Sequence, residues 1–295
     1  MDNHPEFVVE RRGPLSMYVE RTLTGALIPG IAADPDHFFD LPGCEIVKDQ
    51  KKIKVARVKI KIQGEVKTVY IKRYNAFSWR YRFGSFFQSS GAVRSLDGAA
   101  ILAESGIRTA RPLGAVESRA WGMLNRSFFL SEEIGGAKTA DSYWQEELAP
   151  VKGTEGVRKR KQFLRGMGEL FRSLHEQDVY HNDLKDANIL VRPNSSGEEL
   201  EHFYLLDLEG IRRYRQLNRR RRIKNLVQLN RTLGRYLRHV DKVRFLKTYM
   251  GPSFSNRTDK RSTIATVLRR SDKLDRVRNV KVSAVAITGN AAHES

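Results

Sequence analysis

The sequence predicts an α+β protein of two lobes, the first rich in strands and the second rich in helices. Three observations carry this reading. Residues 44–74 alternate apolar and polar side chains with a period near two. Residues 158–177 place Phe163, Met167, Leu170, Phe171 and Leu174 on one helical face. Between these stretches Gly135-Gly136 breaks the chain and marks a hinge between lobes. A chain of 295 residues, 40% of them hydrophobic, suffices for one large domain or two modest lobes.

Residues 1–40 read as an irregular N-terminal extension, punctuated by Pro5, Pro14, Pro29 and Pro35. The N-lobe then spans 41–135. It starts with a three-stranded antiparallel meander whose apolar positions are Ile53 and Val55, then Val58, Ile60 and Ile62, then Val69 and Ile71. The parity slips between Val55 and Val58, as a bulge would make it do. Asp49-Gln50 and Gln63-Gly64-Glu65 supply turns. Residues 91–105 read as a helix capped by Ser89 or Ser90 and stopped at Gly106. Strands follow at 113–117 and 128–134. The C-lobe spans 136–251, with the amphipathic helix, a short apolar strand at 189–191, the polar turn PNSSGEE, a strand at 203–206 and a basic helical stretch at 211–250. Residues 252–295 form a polar, basic tail with one helix near 261–271. No repeat at solenoid periods is visible.

The net charge of +19 demands a polyanionic neighbour. Nucleic acid, an anionic membrane leaflet, nucleotide phosphates and a phosphorylated glycolipid all qualify. The single cysteine, Cys44, excludes an internal disulfide and cannot by itself make a zinc site, which fits a reducing compartment. The first residues are acidic and hold no apolar core of signal-peptide length. No window approaches the roughly 18 apolar residues of a membrane span. The expectation is a soluble or peripheral cytoplasmic protein.

The strongest chemical signal is HNDLKDANILV, residues 181–191. Phosphoryl transfer needs an oriented acceptor hydroxyl and divalent metal held against phosphates. Asp183 can accept the hydroxyl proton, and Asn188, five residues on, can bind metal. Lys185 lies within reach of a transferred phosphate. The plain alternative is a polar turn rich in Asp and Asn. The second element, FYLLDLEG at 203–210, ends an apolar strand in Asp207, a carboxylate placed to chelate metal. Glu209 is either a second metal-facing carboxylate or a turn residue. The third, VYIKRY at 69–74, sets Lys72 on a strand where it can pair with nucleotide phosphates. His175, His202 and His239 share no metal-ligand spacing and read as structural.

Taken with KDQKKIKVARVKI and GIRTARPLGAVE upstream and RFLKTY downstream, these motifs resemble the lipopolysaccharide kinase (Kdo/WaaP) family over about residues 40–250. The resemblance implies a two-lobed protein-kinase-like fold, ATP and Mg²⁺, and phosphorylation of a Kdo or heptose hydroxyl of the lipopolysaccharide inner core. It makes Asp183 the catalytic base. Asn188 and Asp207 become metal ligands, and Lys72 the phosphate-binding lysine. Tyr70, Asp97 and Glu133 complete the expected nucleotide set. Three departures stand out. No Gly-rich phosphate loop is visible near KDQKK. Tyr70 stands where many protein kinases keep a small residue above the adenine. Asp97 stands where a Glu usually meets the strand lysine. Glu104 is its competitor, but it lies in the last helical turn, where the dipole disfavours an anion.

Residues 212–224 hold eight Arg or Lys, beside an apolar stripe of Ile223, Leu226, Val227, Leu233 and Leu237. Three readings are open: a solvated face, a landing surface for phosphorylated glycolipid and an anionic leaflet, or a nucleic-acid surface. The expected partners are the glycolipid and the inner face of a Gram-negative inner membrane, not nucleic acid. A protein or small-molecule kinase of the same fold, or a basic pseudokinase or RNA-binding scaffold, are the competing functions.

Overall fold

A computed structural model of the chain describes residues 6–76, 84–86, 88–193 and 202–291. Contacts divide the chain into two compact units, residues 1–137 with 204–212 and residues 138–203 with 213–295.

The first unit is built on a seven-stranded antiparallel sheet in the order β1-β2-β6-β7-β5-β4-β3. The strands are β1 (Phe7–Arg12), β2 (Leu15–Glu20), β3 (Glu45–Gln50), β4 (Ile53–Ile62), β5 (Glu65–Asn75), β6 (Pro112–Ala120) and β7 (Met123–Glu132). The expected meander is β3-β4-β5. Its second turn is a tight hairpin with Gln63 and Gly64 both at positive φ, 51° and 87°. Such mirror-image turns match the right-handed strand twist. The bulge expected between Val55 and Val58 is absent. β4 pairs with β5 without a break from Ile53↔Tyr74 to Ile62↔Glu65, and the irregularity lies between Ile46 and Lys48 on β3. Ile53 and Val55 lie on one face of the sheet, while Val58, Ile60 and Ile62 lie on the other.

The reading of residues 1–40 as irregular is corrected. β1 and β2 form a hairpin, and β2 pairs with β6 from Leu15↔Ser118 to Val19↔Gly114. Helix α1 (Thr24–Ala33) packs Leu27, Ile28 and Ile31 into a cluster with Met17, Val19, Val58, Ile60, Val69, Ile71, Phe128 and Leu130. Pro29 inside α1 costs a backbone hydrogen bond, so burial holds this helix where propensity does not.

Helix α2 (Gly91–Glu104) covers the opposite face. The Ser90 side chain accepts from the Val93 amide at 3.1 Å, and Gly106 ends the run at φ +65°. Close approach sets this packing. A Cβ on Gly91 would stand 2.6 Å from the Tyr74 ring, and one on Gly98 would stand 2.2 Å from the Leu208 carbonyl oxygen. Residues 204–212 belong to this unit because the Leu205 amide donates to Arg108 O at 3.0 Å and Thr109 Oγ1 donates to Leu205 O at 2.7 Å.

In the second unit, β8 (Lys138–Thr139) pairs with the later β10 (Ile189–Arg192). Helix α3 (Gly153–Glu176) buries Phe163, Met167, Phe171 and Leu174, and β9 (Val179–His181) leads out of it. The basic stretch 211–250, expected as one helical region, divides into a short strand at Ile211–Arg213 and helices α4 (Arg219–Arg231) and α5 (His239–Met250). The tail helix α6 (Arg257–Ala291) is far longer than 261–271. Most of the PNSSGEE turn lies outside the described residues. No helix among the described residues is long and apolar enough to cross a membrane.

Ile31 is fully buried in the α1 cluster. Ile31→Ala should therefore lower the unfolding free energy by about 2–5 kcal/mol, measured by urea denaturation. An irregular extension would leave it unchanged.

Candidate active site

Strand β9 ends in His181, and the chain then turns through residues 182–188 before β10 begins. Asp183 is the focus of this turn. Lys185 Nζ donates to its Oδ2 at 2.6 Å, and Asn188 Nδ2 donates to its carbonyl at 2.7 Å and to its Oδ2 at 3.2 Å. The structure thus brings together the three residues expected here. The Asp183 side chain remains 42% exposed, so water and a ligand can reach its carboxylate. Asp186, by contrast, is buried. Desolvation raises its pKa, while its Oδ1 accepts from the Ala187 amide at 2.8 Å.

The turn rests on a polar scaffold, partly buried, that the sequence reading missed. The Asp183 amide donates to His181 Nδ1 at 3.1 Å. Asn225 Nδ2 donates to His181 O at 2.6 Å and to Gln228 Oε1 at 2.9 Å, while Gln228 Nε2 donates to Asn182 O at 2.8 Å. Thr232 Oγ1 accepts from the Asp186 amide at 3.4 Å. The signal was present: Asn225, Gln228 and Thr232 recur at helical spacing beside the apolar stripe of α4. His175 is structural, as expected. Asn225 Oδ1 can only accept, so Nε2 of His175 carries the proton toward it at 3.1 Å, and Nδ1 accepts from the Tyr249 hydroxyl at 2.9 Å.

In the first unit, Lys72 Nζ donates to Asp207 Oδ1 at 2.5 Å and lies 3.9 Å from Glu209 Oε1. It also stands 4.9 Å over the Tyr74 ring. Burial works against the ammonium, but Tyr74, Asp207 and Glu209 outweigh it and raise the pKa above the ordinary lysine value. Burial pushes the Tyr74 phenol up to about 12, and its hydroxyl is shared with Ser95 Oγ at 2.8 Å. Asp207 sits in the left-handed region at φ 57°, opening a 3₁₀ turn, Leu208–Gly210.

The carboxylate sought on α2 to hold Lys72 is found on that turn. Gly91, Arg94, Ser95 and Gly98 form the face of α2 that meets Tyr74 and residues 208–209. At about 100° per residue, Asp97 lies roughly 110° round from the middle of this face. Its charge contributes to raising the Tyr18 pKa, mainly a consequence of burial. Arg94 does not pair within its helix but reaches Glu209 Oε2 at 3.2 Å.

Tyr70 and Lys72 share one face of β5, with Arg57 and Val55 opposite them on β4. Arg57 grips Glu133 through Nε at 2.7 Å and Nη2 at 3.0 Å. This fork holds the Glu133 pKa below the usual carboxylate range, with Tyr70 also bonded to it. Glu133 is therefore committed to an ion pair on the sheet face that bears Lys72.

A profile of the lipopolysaccharide kinase (Kdo/WaaP) family matches residues 46–249. A 3-deoxy-D-manno-octulosonic acid kinase of Pasteurella multocida (strain Pm70) is 32% identical over 132 residues, 44% of this chain. The match spans about half of that relative's length, 48%. The solved structure of WaaP in complex with acyl carrier protein superimposes with a TM-score of 0.63 at 19% identity, covering 88% of this chain and 98% of that one. It shares the fold.

The scaffold imposes a pH dependence. Burial lowers the His175 pKa from 6.5 to about 4, and the bond with Asn225 only partly offsets this. The unfolded chain then binds the proton more readily than the folded one. Stability is full above the unfolded pKa and is lost as pH falls from 6.5 toward 4, by about 3 kcal/mol in all. Urea denaturation at several pH values should show this loss in the wild type and a shallower one in His175→Gln.

Proposed function

Because this chain belongs to the lipopolysaccharide kinase (Kdo/WaaP) family, we propose that it transfers the γ-phosphoryl group of ATP to a Kdo or heptose hydroxyl of the lipopolysaccharide inner core. The observation that carries this is the Asp183 carboxylate, exposed and oriented by both Lys185 and Asn188. Asp183 takes the proton of the sugar hydroxyl as its oxygen bonds to phosphorus, and ADP leaves. Lys185 balances the carboxylate and meets the transferred phosphoryl group. Lys72 binds the nucleotide phosphates, and Tyr70 and Glu133 serve the nucleotide from the sheet face they share with it. Asn188 and Asp207 are the residues to hold Mg²⁺, which would offset phosphate charge. No group of three or more His, Cys, Asp or Glu forms a metal cage among the described residues. An Asn amide oxygen and an Asp carboxylate are each donors that suit Mg²⁺, which usually takes one or two carboxylates and completes its shell with water and phosphates.

A cytoplasmic protein resting on an anionic inner-membrane face agrees with the charge of α4. Arg219, Arg220, Arg221 and Arg222 occupy its first turn, where the helix dipole disfavours cations. Three of them also make contacts within the fold, and Arg219 Nη2 donates to Ser262 Oγ at 2.9 Å. Arg221 stacks over Tyr214 at 4.0 Å, and Arg222 Nε donates to Leu217 O at 3.1 Å. Arg219 and Arg220 are exposed, as is Arg215 before the helix, and these three supply the membrane-facing charge.

The primary test incubates the protein with γ-labelled ATP, Mg²⁺ and inner-core lipopolysaccharide precursors, with the label located by mass spectrometry. Label on a core sugar is expected; label confined to protein or a small molecule overturns the acceptor assignment. Asp183→Asn should lose about 10²–10⁴-fold in turnover with an unchanged melting temperature. Sedimentation should show liposome binding that needs anionic lipid and falls with salt, because each basic residue near the leaflet contributes about 1 kcal/mol. Replacing Arg215, Arg219 and Arg220 with Gln should weaken it and leave nucleotide affinity intact.

A further inference from the structure

We propose that Glu209 is the positioning residue for Lys72, clamped by Arg94 of α2, and is not a metal ligand. This rests on the kinase reading of the site. The two oxygens of one carboxylate face two cations: Oε1 lies 3.9 Å from Lys72 Nζ, and Oε2 lies 3.2 Å from Arg94 Nη2. Arg94 is itself anchored, since its Nη1 donates to Ser89 O at 2.5 Å just before the helix. The turn that carries Glu209 cannot slide along α2, because Leu208 O fills the space that a side chain at Gly98 would need. Glu209 therefore reaches Lys72 from a backbone fixed by packing and through a side chain fixed by a guanidinium.

The need for a second carboxylate follows from the chemistry assigned to the first. Lys72 donates at 2.5 Å to Asp207, the residue proposed to hold metal. A carboxylate oxygen that turns to a cation no longer serves the lysine fully, and a largely buried ammonium requires another anion. Glu209 stands beside it and keeps the ammonium on the sheet face where phosphates are to bind. Arg94 keeps Glu209 from following Asp207 to the metal. The pairing that kinases of this shape draw from a helix carboxylate is supplied here by a carboxylate on the turn and a guanidinium on the helix.

The test measures ATP affinity by calorimetry without acceptor, steady-state kinetics, and the Mg²⁺ concentration for half-maximal activity. Glu209→Gln should weaken ATP binding and raise its KM by about ten-fold, the scale of one lost charge contact. kcat should fall less, and the Mg²⁺ requirement should stay as in the wild type. Glu209→Asp should recover part of the affinity. Arg94→Gln should act in the same direction, and the double variant should be no worse than the more severe single one, because both break one contact. Arg94→Gln leaves the carboxylate in place and tests the clamp even if Glu209→Gln does not fold. Three outcomes overturn the proposal: unchanged ATP affinity with only a lowered melting temperature, additive losses in the double variant, or a raised Mg²⁺ requirement matching that of Asp207→Asn. Failure of the unaltered protein to bind ATP overturns the kinase reading and this assignment with it. Nucleotide binding without sugar transfer overturns the acceptor alone.

Discussion

The first unit is organised around one largely buried ammonium. Lys72 is placed by strand parity on the face of β5 that α2 covers, beside Tyr74 rather than Ile71. A charge there is tolerable only if anions come to it. The chain brings Asp207 and Glu209 back from residues 204–212 to do so, and Gly98 of α2 lets that turn approach. Asp207 accepts a left-handed backbone to complete the arrangement, a conformation that Asp tolerates better than most side chains. The lysine proposed to bind phosphates and the carboxylate proposed to hold metal are thereby direct partners.

The second unit solves a different problem. The Asp183 side chain is 42% exposed, so it is not held by burial. Its orientation comes from Lys185 and Asn188 above and from a neutral polar chain below, through His181, Asn225, Gln228 and His175. Asn225, Gln228 and His175 each both donate and accept in that chain, and such a connected network rigidifies what rests on it. Burial lowers the His175 pKa and the bond with Asn225 opposes the shift, so the ring stays neutral within this network.

Charge on the surface follows a separate logic. Arginines in the first turn of α4 oppose the helix dipole, with Asn218 capping the turn by accepting from the Arg221 amide at 3.0 Å. Part of this charge is used inside the fold and part projects to solvent, which a count of basic residues cannot separate. The same holds for Arg57, whose fork on Glu133 looks in the sequence like one more cation of a basic strand.

The sequence by itself determined the α+β class, the β3-β4-β5 meander, the extent and cap of α2, the amphipathic face of α3 and the loop from His181 to Val191. Those features are local: they depend on side-chain period, on a Ser or Gly at a helix end, or on spacing within a few residues. Tertiary structure decided the rest. Residues 6–39 look irregular because Pro29 and short elements weaken the local signal, yet burial of Leu27, Ile28 and Ile31 against the sheet folds them. The partner of Lys72 was sought on α2 by analogy with a helix carboxylate. Rotation of that helix about its axis, set by Gly91 and Gly98, turns Arg94 toward the site and gives the carboxylate's place to Glu209. Asn225 and Gln228 read as ordinary polar residues until packing sets the face they share against His181 and Asn182. A sequence specifies which groups are present, but which of them meet depends on how far two backbones can approach, and here glycine contacts set that distance.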